Sequence, residues 1–290
     1  MNDRWEPMIS ASLAIKAPPC APILLRGPLS MTVDMAAEIG FSGIELHFGT
    51  VDEIDWGLLD GRLKDRGLRL TSIGTGRIFT VDGLSISDAD VCVAEAAEAR
   101  LISMIDKVAG YGPEIIIGSV KGRLSADPAG REKAYSRLVL SLGRLARYAG
   151  EKGCRLAVEA INSTESDNIN TTDELIGLID DVGSAFVRAH LDSYHMLAEK
   201  EDIARSVKRA GSRIGHVHLA DSKRMAPGLG TINFKEFLEE LKHIGYKGVL
   251  AFEYPPDEKG SQAEEDPDKK KQARFAKVGL DYIKGCLKGL

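Results

Sequence analysis

Four apolar runs in the second half of the chain each end in a residue able to bind a metal ion or move a proton. Leu156-Ala-Val-Glu159 ends in a carboxylate and Val187-Arg-Ala-His-Leu-Asp192 in another. Ile214-Gly-His-Val-His218 ends in an imidazole, and Val249-Leu-Ala-Phe-Glu253 in a third carboxylate. Taken singly, each reads as an ordinary loop or helix-capping residue. Four at the ends of successive runs form a pattern. Three carboxylates and one imidazole suit Mn2+, Mg2+ or Co2+ better than a structural zinc, which favours thiolates and imidazoles. Without a cation they would repel one another, and at least one pKa would rise. His195 follows Asp192 by three residues, while His190 and His216 each lie two residues before a proposed ligand, on the same side of a strand. His216 is therefore expected to support the ligands, and His190 to help orient Asp192.

The elements that must position these residues alternate regularly. Strand-like runs are predicted at 8–15, 43–48, 68–73, 114–118, 155–159, 187–192, 214–218 and 248–253. Helical patterns fall between them at 31–39, 58–66, 88–108, 131–152, 172–182, 202–210 and 234–244, and a last helix is predicted at 272–287. Strands alternating with helices imply parallel pairing through right-handed crossovers. Eight such units in 290 residues predict a closed (β/α)8 TIM barrel, an α/β fold in a single domain over 1–290. A dinucleotide-binding sheet would want a Gly-rich turn after the first strand, where this chain has a Pro-rich loop through Pro18, Pro19, Pro22 and Pro28. The charged stretch 257–271 reads as a solvated loop before the last helix. In such barrels the functional groups lie at the C-terminal strand ends, so the four terminal residues face one cup.

Composition narrows the function classes. A net charge of −5 argues against a general nucleic-acid binder. The four cysteines are far apart and contain no CxxC pair, so neither a zinc knuckle nor a disulfide framework is expected. No apolar run approaches the ~18 residues of a membrane span, and no secretory signal pattern is present, which predicts a reduced, cytoplasmic protein without a membrane partner.

The segments Val158-Glu-Ala-Ile-Asn162, Leu191-Asp-Ser-Tyr-His-Met196, His216-Val-His218 and Phe252-Glu253 resemble the metal-ligand segments of the xylose-isomerase-like barrel superfamily. Within it they are most similar to the D-tagatose 3-epimerase (D-psicose 3-epimerase) group, also grouped with sugar phosphate isomerases and epimerases. The motifs cover 155–254, and the likeness before that is architectural. The resemblance implies one divalent ion, Mn2+ foremost with Mg2+, Co2+ or Zn2+ as alternatives, held by Glu159, Asp192, His218 and Glu253. It implies that Glu159 and Glu253 act as acid and base on opposite faces of a ketose, through a cis-enediolate. It further implies that His195 hydrogen-bonds a substrate oxygen, that Glu165 holds the substrate's end, and that Arg224, before Pro227-Gly-Leu-Gly230, supports the developing charge. Relatives of this kind often form homodimers or homotetramers.

Glu45 and His47 end the second strand, where substrate contacts are often placed. Lys121 and Arg123 follow the fourth, where a Gly-flanked basic pair could grip a carboxylate or phosphate. The first half lacks the aromatic wall of the epimerases, and only two tryptophans are present, so the sugar is left open. The alternatives are a keto-inositol dehydratase or hydroxypyruvate-type isomerase of the same superfamily and an endonuclease IV-like repair enzyme. The last would want more histidines than six and a basic groove.

Overall fold

The computed structural model describes residues 5–18, 21–124, 127–257 and 268–290. Nine parallel strands follow the chain: β1 (Met8–Ala14), β2 (Leu25–Arg26), β3 (Gly43–His47), β4 (Arg69–Gly74), β5 (Glu114–Ile117), β6 (Arg155–Glu159), β7 (Val187–Asp192), β8 (Ile214–Leu219) and β9 (Val249–Phe252). Eight of them close into the expected barrel, because β9 pairs back onto β1 from Met8↔Val249 to Ala11↔Phe252. The two-residue β2 was not foreseen in the Pro-rich segment. It extends β1 through Leu13↔Leu25 and Ala14↔Arg26, and the Arg26 side chain gathers the carbonyls of Pro18, Ala21 and Ile23.

The helices are α1 (Leu29–Ile39), α2 (Trp56–Arg66), α3 (Arg77–Thr80), α4 (Val91–Val108), α5 (Pro128–Glu151), α6 (Thr172–Val182), α7 (Ser193–Ala198), α8 (Ile203–Ala210), α9 (Phe234–His243) and α10 (Lys269–Lys288). Their apolar stripes face the barrel. On α5 the stripe is Leu138, Leu142 and Leu145, all buried, each worth roughly 1.5–3 kcal/mol of transfer free energy. Several helices start earlier than periodicity suggests because a cap sets the boundary. Asp55, Asp127 and Asp268 each accept a backbone N–H from the first turn that follows, and Pro128 stands at a position where its missing N–H costs nothing. Lys269 to Lys271 therefore belong to α10 and not to a solvated loop; residues 258–267 of that predicted loop lie outside the described residues. Among the described residues no helix is long and apolar enough to cross a membrane.

Candidate active site

Strand register brings the four predicted ligands to one level. Asp192 pairs with His218, and Glu159 ends β6 beside β7. Phe252 ends β9, so Glu253 is the first residue past it. One ligand atom from each of Glu159, Asp192, His218 and Glu253 lies within 4.8 Å of all the others, and all four residues are buried. His218 Nδ1 stands 3.4 Å from Glu253 Oε2, 3.7 Å from Asp192 Oδ2 and 3.9 Å from Glu159 Oε1. Asp192 Oδ2 and His218 Nδ1 are buried without a hydrogen-bond partner. Buried polar atoms normally find partners, and two orphaned lone-pair acceptors aimed at the same point are what a cation would satisfy. The residues fit a divalent ion.

Two of the predicted ligands, Asp192 and His218, are held from behind. Asp192 caps α7, its Oδ1 accepting the N–H groups of Tyr194 (2.7 Å) and His195 (3.1 Å), which leaves Oδ2 for the centre. His218 Nε2 faces the Glu45 carboxylate at 2.9 and 3.1 Å, so the ring proton is fixed on Nε2 and Nδ1 is turned inward. Glu45 is completely buried and also accepts from Ser72 Oγ (2.7 Å) and His47 Nε2 (2.8 Å). It thus supports a proposed ligand from behind, and does not line the cavity as the substrate contact that its strand-end position suggested. His216 reaches Ser72 Oγ at 3.0 Å and Glu45 at 3.2 Å, one layer below the ligands. His190 does not hydrogen-bond Asp192. Neither of its ring nitrogens has a partner, and it packs edge-on against His218 with centroids 4.1 Å apart.

The electrostatics reflect crowding. Burial, reinforced by the Glu253 and Asp192 carboxylates, pushes Glu159 up to about 8. Burial works against ionisation of Glu253 too, but His218 and Arg224 outweigh it and hold this carboxyl below its usual range. His218 is also disfavoured as a cation by burial, yet Glu45 and Glu253 raise it well above the ordinary imidazole value. Its Nδ1 proton then sits where a metal ion would.

The remaining predicted contacts form a ring beside this centre. Arg224 Nη2 donates to Glu253 Oε2 at 3.1 Å, and Nη1 to Glu165 Oε2 at 3.2 Å. The guanidinium lies over the Tyr194 ring, 4.9 Å from its centroid. Both Lys223 and Arg224 adopt left-handed backbone, φ 59° and 58°, a strained state that turns Arg224 inward. Asp221 holds this loop, its oxygens accepting the N–H groups of Ser222, Gly228, Gly230 and Ile232. His195 Nε2 is 3.7 Å from Glu159 Oε1.

Asn162, which the sequence placed in a motif without a role, bears on which nitrogen of His195 carries the proton. Asn162 Oδ1 accepts the Thr164 N–H (3.1 Å), which fixes the amide orientation. Its Nδ2 therefore donates to His195 Nδ1 (2.7 Å) and to Glu165 Oε1 (3.0 Å). Arg224 Nη2, also a donor, stands 3.2 Å from His195 Nε2. The shorter Asn162 contact, joined by the Asn162 main-chain N–H at 3.4 Å, makes Nδ1 the acceptor, which puts the proton of the neutral ring on Nε2 and denies Arg224 a hydrogen bond there.

A cavity of about 320 Å³ opens over these groups, lined by Glu159, Glu165, His195, Arg224 and Glu253 at its inner end. His47 also lines it. Lys121 is buried beneath: its Nζ donates to the carbonyls of Gly118 (3.0 Å) and Glu159 (2.7 Å), so it holds a ligand strand and cannot grip a substrate. Arg123 is exposed and does not line the cavity. Gly118 leaves room for the Glu159 carboxylate, since a Cβ there would lie 2.6 Å from Glu159 Oε2 and force that side chain to shift.

Comparison with known proteins agrees with this fold. Residues 33–277 match the family model described as xylose isomerase-like TIM barrel. An L-ribulose 3-epimerase of Mesorhizobium japonicum is 32% identical over 234 residues, covering 79% of this chain and 76% of that one. A D-psicose 3-epimerase of Agrobacterium fabrum is 28% identical over 227 residues, 76% and 77% of the two chains. The crystal structure of a D-allulose 3-epimerase from Methylomonas sp. in complex with D-allulose superposes with a TM-score of 0.79 at 25% identity, covering 96% of each chain.

Proposed function

This chain belongs to the xylose isomerase-like TIM-barrel family, and on that footing we propose that it is a divalent-metal-dependent sugar epimerase acting next to a ketose carbonyl. It is an enzyme of the isomerase class, like its epimerase relatives. The observation that carries the reading is the pair of orphaned buried atoms, Asp192 Oδ2 and His218 Nδ1, facing Glu159 and Glu253 on the floor of the cavity.

Glu159, Asp192, His218 and Glu253 would hold the ion, which when bound would polarise the substrate carbonyl and make the adjacent C–H more acidic. Glu159 and Glu253 come from β6 and from the end of β9, separated around the cup by β7 and β8. They can address the two faces of a planar enediolate, one removing the proton and the other returning it. Glu253, held ionised by His218 and Arg224, is the base in one direction. Glu159, across the cup, would return the proton from the other side. His195 donates from Nε2 to the substrate oxygen that gains charge. Arg224 and Glu165, bonded to each other and both lining the cavity, would contact the neighbouring hydroxyls.

The test is turnover of a ketose panel in D2O with added Mn2+. Deuterium should enter at a carbon next to the carbonyl, and its position distinguishes 3-epimerisation from aldose–ketose isomerisation. Glu159→Gln and Glu253→Gln should each lower exchange by about 100-fold or more, the usual weight of a positioned acid or base, with the fold intact by circular dichroism. Either variant at near-normal turnover removes that residue from the pair, and no exchange with any ketose, keto acid or inosose overturns the reaction.

A further inference from the structure

The outer part of the same cavity has the opposite charge to its floor. Its acidic lining residues, Glu159, Glu165 and Glu253, all belong to the inner end already described. Toward the strand-end loops it is lined by Lys16, two residues past β1, and Arg77, the first residue of α3 after β4. Lys16 is exposed and forms no ion pair with any described residue. Arg77 is anchored at one corner only: Nη1 donates to Glu53 Oε2 at 2.6 Å. The other oxygen of Glu53 is occupied by the N–H groups of Gly49 and Thr50, both at 3.1 Å. That anchor positions the guanidinium and leaves Arg77 Nε buried with no partner.

Resting on the epimerase reading of the floor, we propose that the substrate carries an anionic group, a carboxylate or a phosphate, at the end remote from the reacting carbons, and that Arg77 and Lys16 bind it. A neutral sugar closing this mouth would strip water from two cations and replace it with nothing charged. An anionic end satisfies them, Arg77 with the fork geometry that matches carboxylate and phosphate oxygens. The carboxylates of the floor repel the same group, so the cavity's polarity also sets which end of the sugar enters first. The basic pair Lys121 and Arg123, which the sequence marked for this task, is not in position for it.

The experiment compares a neutral hexulose, its 6-phosphate and the corresponding keto-sugar acid with the Mn2+-loaded enzyme, by kcat/KM in D2O exchange. It also compares them by calorimetric binding to Glu159→Gln, which needs no turnover. The expected result is an anionic sugar preferred over the neutral one by at least about 100-fold, the scale of a charge-assisted hydrogen-bond pair. Whichever of the acid and the phosphate wins identifies the group. That preference should collapse about tenfold in Lys16→Met and further in Arg77→Met, with partial rescue by Arg77→Lys. Equal or better binding of the neutral hexulose in the parent protein overturns the proposal, as does an unchanged preference in both variants. Anion-selective binding without any isotope exchange would retain this subsite and reject the proton-transfer reading instead.

Discussion

Asn162 and His218 show how single atoms decide what this site can do. Because Asn162 donates to His195 Nδ1, Asn162→Asp should reverse the arrangement: a carboxylate accepts from Nδ1–H, and Nε2 loses the proton that serves the substrate. We expect kcat to fall by about 100-fold, in line with losing one preorganised donor, with KM changed far less. The 15N shifts of His195 should show the ring proton moved from Nε2 to Nδ1. An unchanged tautomer would sink this account even if activity fell. If the proposed site holds a metal, His218 and Glu159 set the pH dependence of its loading. Both bind protons that the metal must displace, since His218 is raised well above its ordinary value and Glu159 to about 8. Glu159, raised from 4.5, contributes stability to the metal-free protein that is complete below the unfolded value and is lost as pH rises toward about 8. Mn2+ affinity should therefore climb between pH 5 and about 8, with proton release visible as a buffer-dependent enthalpy. A flat profile over that range would remove Glu159 and His218 from the ligand set.

At the scale of elements, the strand ends are what make the site, and they tolerate little. A Cβ at position 118 would stand 2.6 Å from Glu159 Oε2, so Gly118→Ala should displace the carboxylate while leaving the β5–β6 ladder in place. Turnover should drop at least tenfold, because small misplacements of reacting groups are costly, with the melting temperature nearly unchanged. Loss of folding instead would mean that this glycine serves the barrel and not the site. The strand-end pattern was legible because parallel buried strands are short apolar runs, and a polar residue closing one stands out. Glu159, Asp192, His218 and Glu253 could be found that way, and the structure brings all four together. The short helix α7 was not legible: six residues are too few for a periodic signal, and Asp192 reads as a strand end and as a cap at once. The work of Glu45 was hidden for another reason. Its contact with His218 spans 173 residues, a distance that only the closure of the barrel removes. Lys121 misled because a cation after a strand usually meets solvent, whereas here the following turn folds it under Glu159.

For the whole molecule, the barrel divides the labour between its halves, and this has a thermodynamic consequence. All four proposed ligands belong to β6–β9 or the residue after it, but the carboxylate that fixes His218 is Glu45 on β3, itself held by Ser72 on β4. A metal ion would therefore draw on strands that provide no ligand. At a free concentration of about 100 times Kd, an ion that binds only the folded state adds ~2.7 kcal/mol. With roughly 2 °C per kcal/mol for a chain of this size, the melting temperature should rise by about 5 °C. If the supports act as one unit with the ligands, Mn2+ should slow amide exchange in β3 and β4 as well as in β6–β9. Glu45→Gln should weaken metal binding by about 10- to 100-fold, the usual effect of removing a partner behind a ligand, and should cancel the added protection in β3 and β4 first. Protection confined to β6–β9 in the parent protein would mean that Glu45 is a passive neighbour, and that the N-terminal half frames the cavity without taking part in its chemistry.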